Sequence, residues 1–228
     1  MAPNILGLIP ARGGSKGVLR KNIRIVAGEP LISYSIQAAL KSGLLNPVIV
    51  STDDTEIAEV SAAFGAEVLM RPDHLAGDET PMIPVIRHVI EQLERERDIH
   101  FDCCVLLQPT APMRTAEDIN AAVNILMETG ADSVVSVYKV SDHHPSRMYR
   151  IENDRLIPLQ GEPQNRLRQS LPPVYHRNGA VYAFQRSLIE RADTIIGPDV
   201  RPYVMPEDRS VNIDNEIDLL LADLLLRR

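Results

Sequence analysis

Short aliphatic runs alternate with stretches of helical period through the first part of the chain, and this alternation leaves few architectures open. The run from Asn4 to Pro10 is brief, aliphatic and stopped by proline, so it reads as a buried strand. Leu31, Ile32, Ser35 and Ala39 fall near helical spacing ahead of Gly43, a C-terminal cap. Val48–Thr52 and Glu67–Met70 read as further strands, with a helical face of Ile57, Val60 and Phe64 between them. A polar loop runs to Thr80-Pro81, and a longer helix follows with Ile83, Ile86, Ile90 and Leu93 facing inward. Cys103–Leu107 is the most continuous apolar run, as a central strand covered on both faces requires. Ile119, Val123 and Leu126 mark the next helix. The order predicts an α/β fold, a mostly parallel sheet with helices on both faces. Ligands bind such sheets beyond the carboxyl ends of the strands. Arg12, Asp53, Arg71 and Gln108 all fall just past a strand end, so a polar site is expected there.

The loop after the first strand is rich in glycine and cations. Gly13, Gly14 and Gly17 open backbone angles closed to other residues, and successive amides can then form a nest for phosphate oxygens. Arg12, Lys16, Arg20 and Lys21 add fixed positive charge. Neither the G-x-x-x-x-G-K-[ST] nor the G-x-G-x-x-G pattern is present. A solvated basic turn after an edge strand is the other reading of these residues. A net charge of -7 excludes general nucleic-acid affinity, so a local basic loop points to a small anionic ligand. Cys103 and Cys104 are neighbours on a strand, face opposite ways and cannot easily pair. They suit a reducing compartment. With no basic leader ahead of the first strand and no apolar run near the ~18 residues that span a bilayer, a cytoplasmic protein without membrane contact is expected.

The pattern changes after Ser133. Val134–Val140 reads as a strand, and Ser141 to Tyr175 has no clean period and much Pro, Arg and Gln. Ile151–Ile157 looks like a small hairpin with an Asn-Asp turn. An irregular segment of this length is usually a lid, a binding arm or a dimerisation element. Ala180–Phe184 reads as a strand, Val204-Met205 as a short edge strand, and a last helix carries an apolar face of Ile217, Leu220, Leu221, Leu224 and Leu225.

These residues together resemble the CMP-sialic acid synthetases, the acylneuraminate cytidylyltransferases. The resemblance rests on Ile9-Pro-Ala-Arg-Gly-Gly-Ser-Lys-Gly17 with Lys21-Asn22, Ser51-Thr-Asp53, Arg71-Pro72, Leu107-Gln-Pro-Thr-Ala-Pro-Met-Arg114, Arg177-Asn-Gly179 and Asn212-Ile-Asp214, in the family's order across nearly the whole chain. It implies a single Rossmann-like nucleotidyltransferase domain over residues 1–228, with 138–176 as an inserted dimerisation and sugar-binding arm. It also implies the reaction of CTP with a nonulosonic acid, a nine-carbon 2-keto sugar acid, to give the CMP-sugar and pyrophosphate. The anomeric hydroxyl attacks the α-phosphorus in line, which needs charge stabilisation and positioning more than covalent help.

By the same resemblance, Arg12, Gly13, Ser15, Lys16 and Lys21 hold the triphosphate, and Asn22 supports the nucleotide. Arg71 sits near the cytosine, a surface ion pair being its other reading. Gln108 lies beside ribose or sugar, Arg114 fixes that loop, and Asn178 forms the base of the sugar site. Asp214 holds Mg²⁺ with phosphate oxygens and is the first candidate for a general base, so Arg12, Lys21 and Asp214 form the catalytic set. The family usually shows Asp-Ile-Asp where this chain has Asn212-Ile-Asp214, so the first ligand keeps a carbonyl oxygen but loses a charge. His143-His144-Pro145 with Arg147, and Arg168-Gln169, resemble an arm that reaches the sugar carboxylate in a partner subunit's site, which implies a homodimer with arm exchange. Zinc at the paired histidines is disfavoured, since no Cys or third His lies at ligand spacing.

Two other functions stay open: a cytidylyltransferase for the eight-carbon acid Kdo, and a catalytically weak nucleotide-binding module supported by Asn212 alone. Arg12→Ala should weaken CTP binding about tenfold or more by removing a charge-assisted phosphate contact, measured by calorimetric titration.

Overall fold

A computed structural model describes residues 3–15, 17–77, 79–160 and 171–228. In chain order the strands are β1 (Ile5–Pro10), β2 (Ile25–Val26), β3 (Glu29–Pro30), β4 (Val48–Thr52), β5 (Glu67–Met70), β6 (Cys103–Leu106), β7 (Ser133–Lys139), β8 (Tyr149–Glu152), β9 (Arg155–Pro158), β10 (Tyr175–Gln185) and β11 (Val200–Met205). The helices are α1 (Leu31–Ser42), α2 (Thr55–Ala63), α3 (Met82–Arg97), α4 (Ala116–Thr129), α5 (Ser187–Ala192) and α6 (Glu216–Leu226). A seven-stranded sheet has the order β11-β7-β10-β6-β1-β4-β5. Only β10 runs against the rest: it is antiparallel to both β6 and β7, while every other pairing is parallel.

Alternation along each strand divides the interior in two. Ile5, Ile9, Cys103, Val105 and Leu107 pack beneath α1, α2 and α4 with Ile32, Ile36, Ile57, Ile119 and Leu126. Leu6, Leu8, Cys104 and Leu106 face the other way, onto Ile86, Ile90 and Leu93 of α3 and Leu188 and Ile189 of α5. Both faces are thus covered, which is why these strands read as unbroken apolar runs. The adjacent cysteines point to opposite cores, as their spacing predicts, and both are free and buried. Burial pushes the Cys103 thiol up to about 11 and raises Cys104 further.

The second part of the chain departs from the sequence reading in three places. β10 is longer than Ala180–Phe184, because a register shift between Arg177 and Tyr182 lets it continue past Asn178-Gly179. β11 is the edge strand beside β7, as expected, but it runs over six residues rather than two. In α6 the inward residues are Leu219 and Ala222, whereas Ile217, Leu220 and Leu224 are 76%, 70% and 60% exposed. That helix is apolar nearly all round, so period alone could not choose its buried side. The hairpin does form, as β8 and β9, and both turn residues Asn153 and Asp154 take positive φ, the requirement of its two-residue loop. Among the described residues no helix is long and apolar enough to cross a membrane.

One buried carboxylate ties the sheet edge to α4. Asp118, 1% exposed, completes the capping box with Thr115, accepts from the Tyr203 hydroxyl at 2.8 Å and takes both arms of Arg209. Burial opposes its ionisation, but these donors outweigh it and hold its pKa below the ordinary carboxylate range. A depressed carboxylate stabilises the fold above its unfolded pKa and loses that contribution as pH falls through the folded value. Asp118→Asn should therefore cost about 3 kcal/mol near neutral pH in urea unfolding, and the gap to the native chain should close below about pH 4.

Candidate active site

The loop after β1 is held from behind by the end of β4. The Ala11 amide donates to the Ser51 carbonyl at 2.9 Å and the Gly13 amide to Asp53 Oδ1 at 3.1 Å. A Cβ on Gly13 would lie 2.6 Å from Asp54 Oδ2, so the residue must be glycine for the loop to sit this close to the carboxylate. Asn22, buried, donates its side-chain amide to the Arg12 carbonyl at 2.9 Å and closes the loop on itself. Arg20 turns away from the cradle to pair with Asp54 and Glu56.

The loop before α6 meets this one from the far end of the chain. Lys21 Nζ donates to the Ile213 carbonyl at 2.7 Å and lies 3.7 Å from Asp214 Oδ1. A Cβ on Gly17 would stand 2.1 Å from the Asp214 carbonyl oxygen, so the two backbones touch. A small core of Val18, Val26, Leu31, Ile213, Leu219 and Ala222 lies under both loops. Between them opens a cleft of about 550 Å³ lined by Arg12, Ser15, Lys21, Asn22, Arg71, Gln108, Asn212 and Asp214. The residues expected around one nucleotide therefore do converge. Gly13 supports this wall from behind, and Lys16 and Arg168 lie outside the described residues.

Two buried arginines brace the site, Arg71 in the lining of the cleft and Arg114 behind the Gln108 loop. Arg71 is buried rather than a surface ion pair, with Nε donating to Ser51 Oγ at 2.9 Å and its guanidinium to the Ser51 carbonyl at 2.7 Å. Arg114 is 3% exposed and donates to the Ala180 carbonyl at 2.6 Å, to Ser35 Oγ at 2.7 Å and to the Gln108 carbonyl. Burial lowers both, Arg114 to about 9. Arg114 thus locks the Gln108 loop to β10, the role its motif implied. Gly179, at φ 73, passes directly beneath: a Cβ there would meet Gln108 Oε1 at 2.4 Å and Asn212 Oδ1 at 3.5 Å.

Asn178, which the resemblance puts at the base of a sugar site, lies behind the surface of the cleft. Its side chain is 2% exposed and engaged by the chain itself: Oδ1 accepts from Ser136 Oγ at 2.6 Å and the Ala180 amide at 3.2 Å, and Nδ2 donates to Ser210 Oγ at 2.9 Å. It shapes the β10 bulge and offers no polar group outward. Arg147 lies in a separate cavity of about 680 Å³ at the base of the arm, 3.9 Å from Asp142, so the chain does not bring it to its own nucleotide cleft.

At the acidic end Asn212 Nδ2 donates to Asp214 Oδ2 at 2.9 Å, while Asn212 Oδ1 is buried without a partner. An orphaned carbonyl beside an exposed carboxylate is a hard-oxygen pair that fits a divalent cation. Among the described residues no group of three or more His, Cys, Asp or Glu could hold a metal unaided, so a cation here would need phosphate and water oxygens to complete its shell.

Sequence reasoning missed a neighbouring cavity of about 300 Å³, lined by Met82, Ile83, Leu106, Arg177, Tyr182, Ile195 and Ile196 and sharing Gln108 and Met82 with the cleft. Arg177, beside Asn178-Gly179, was the visible signal. Ile195-Ile196 sits in a loop with no period to betray it. Tyr182 lines this cavity as well as the core.

A family model described as Cytidylyltransferase matches residues 6–191. The chain is similar to the CMP-N,N'-diacetyllegionaminic acid synthase of Legionella pneumophila, with 36% identity over 97% of this chain and 96% of that one. It is also similar to the pseudaminic acid cytidylyltransferase of Campylobacter jejuni, with 31% identity over 97% and 96%. Among solved structures, a CMP:2-keto-3-deoxy-manno-octonic acid synthetase complexed with CTP shares the fold, with a TM-score of 0.72, 17% identity and 98% of each chain covered.

Gly179→Ala should displace Gln108 and force a left-handed alanine. We expect kcat/KM for nucleotidyl transfer to fall about tenfold or more while folding is retained, measured by steady-state kinetics and thermal melting.

Proposed function

We propose that this chain, which belongs to the cytidylyltransferase family, transfers CMP from CTP to the anomeric hydroxyl of a nine-carbon 2-keto sugar acid and releases pyrophosphate. One observation carries the reading. A cleft with a basic loop on one side and Asn212 and Asp214 on the other shares Gln108 with a mostly apolar cavity, which supports adjoining nucleotide and acceptor sites.

Arg12, Ser15 and Lys21, with Lys16, hold the triphosphate through fixed charge and loop amides. Arg71, anchored on Ser51, faces the base end of the cleft. Lys21 bridges the two loops and balances charge between the phosphates and Asp214. Asp214 accepts the proton of the attacking hydroxyl, its exposed carboxylate being the acid that lines the cleft among the described residues. A magnesium ion held by Asp214 and the Asn212 carbonyl would neutralise charge on the triphosphate. Gln108 orients the acceptor at the junction of the two cavities.

Ile83, Leu106, Tyr182, Ile195 and Ile196 make the second cavity suited to an acyl substituent, and Arg177 in its lining, which also holds Asp193, suits a carboxylate. The N,N'-diacetyllegionaminic relative supports a di-N-acyl acceptor of that class. Arg147 and Arg168 would serve a second subunit's site, since Arg147 lies away from the cleft of its own chain. The β8–β9 hairpin supports such a dimer: Ile151 and Leu156 are 75% and 65% exposed, and an isolated two-stranded hairpin is marginal in water.

The purified protein should release pyrophosphate from CTP and Mg²⁺ with nine-carbon acids from a panel of 2-keto sugar acids. Release with the eight-carbon acid alone would overturn the acceptor class, and CTP binding without release from any acid would favour a binding module. Asn212→Asp restores a second carboxylate and should tighten Mn²⁺ binding in the presence of CTP about tenfold, read by spin-resonance titration. Unchanged affinity would assign the protein's share of ligation to Asp214 alone.

A further inference from the structure

We propose that Arg20 is a positioning residue: with Asp54 and Glu56 it forms a clamp behind the glycine-rich loop that sets the loop's shape for phosphate. The inference rests on the nucleotide reading of the cleft above.

Arg20 has φ 55, a left-handed conformation that a residue with a side chain adopts at a cost of roughly 1 kcal/mol. Such a conformation persists where the surroundings dictate it. Here they do. The Arg20 guanidinium meets Asp54 with both nitrogens, one of them donating to Oδ1 at 3.1 Å, and also pairs with Glu56. Asp54 is itself fixed, because its Oδ1 accepts the Ile57 amide at 3.0 Å as the N-cap of α2 and its own amide donates to Thr52 Oγ1 at 3.1 Å. Gly13 packs against the Cβ and Oδ2 of Asp54, the latter also an acceptor of Arg20. The mutual pull is visible in both groups: Asp54 lies below the ordinary carboxylate range and Arg20 above its own.

The consequence runs forward along the chain. The left-handed turn at Arg20 starts the single turn Lys21–Ile23, closed by the Ile23 amide on the Arg20 carbonyl at 3.1 Å. From that turn Asn22 reaches the Arg12 carbonyl and Lys21 reaches Ile213. The clamp therefore sets where Arg12, Lys21 and Asn22 point. Arg20, Asp54 and Glu56 are absent from the lining of the cleft, so they act on it through the loop.

Two variants separate positioning from direct contact. Asp54→Asn keeps an N-cap but loses the ion pair. Arg20→Gly loses the ion pair and relieves the backbone. CTP affinity by calorimetry, melting temperature, and hydrogen exchange of residues 11–24 without nucleotide would be measured for each and for the double variant. We expect each single variant to bind CTP about tenfold more weakly, with faster exchange of the loop and little change in melting, and the double variant to be barely worse than either. Weak CTP binding in Arg20→Gly beside native binding in Asp54→Asn would overturn the clamp and make Arg20 a phosphate ligand. Unchanged exchange in both variants would also overturn it. Failure of the native chain to bind CTP would remove the nucleotide reading, and exchange alone would still decide the clamp.

Discussion

The touching backbones of Gly17 and Asp214 are the constraint on which the site depends. Nearly two hundred residues separate them, as the Lys21–Ile213 bond of sequence separation 192 records. Neither loop has a regular ladder to hold it. What brings them together is apolar: Val18 from one loop and Ile213 from the other share a small core with Leu219 and Ala222 of α6. Without α6 as a lid on that core, the cationic and anionic walls of the cleft would lose the apolar support beneath the Lys21 contacts that join them.

Charge in this site is layered by depth. Asp53 and Asp54 stand behind the loop and hold its amide and its Arg20, while Arg12, Lys21 and Arg71 line the front. The buried arginines bond mainly to neutral acceptors. Arg71 meets a hydroxyl and a carbonyl of Ser51, and Arg114 meets two carbonyls and Ser35. Burial without a paired carboxylate costs free energy and lowers both pKa values, and it leaves the positive charge of Arg71, which lines the cleft, without a salt-bridge partner among the described residues. Among the described residues, the acid that lines the cleft is Asp214, at the far wall.

The alternation of runs from Asn4 to Gly130 made the parallel part of the sheet legible, because buried strands and amphipathic helices carry separate periods. Arg12, Arg71 and Gln108 were legible as site residues for the same reason, each lying past a strand end. The antiparallel insertion of β10 was not, since a strand's direction leaves no mark on its composition. The bulge at Asn178 hid that residue's inward role: its amide is satisfied by Ser136 and Ser210, far away in sequence. Arg20 looked like one more cation of the cradle, and only the position of Asp54 and Glu56 shows which way it turns.

The burial of Cys103 and Cys104 in opposite cores bears on how this molecule can be studied. The chain has only these two cysteines, and both are kept as thiols and out of solvent, so neither is nucleophilic near neutral pH. A cysteine introduced on the arm or on α6 would be the one reactive sulfur on the surface. Fluorescent or spin labels could then report arm and lid movements directly, with the native protein serving as its own silent background.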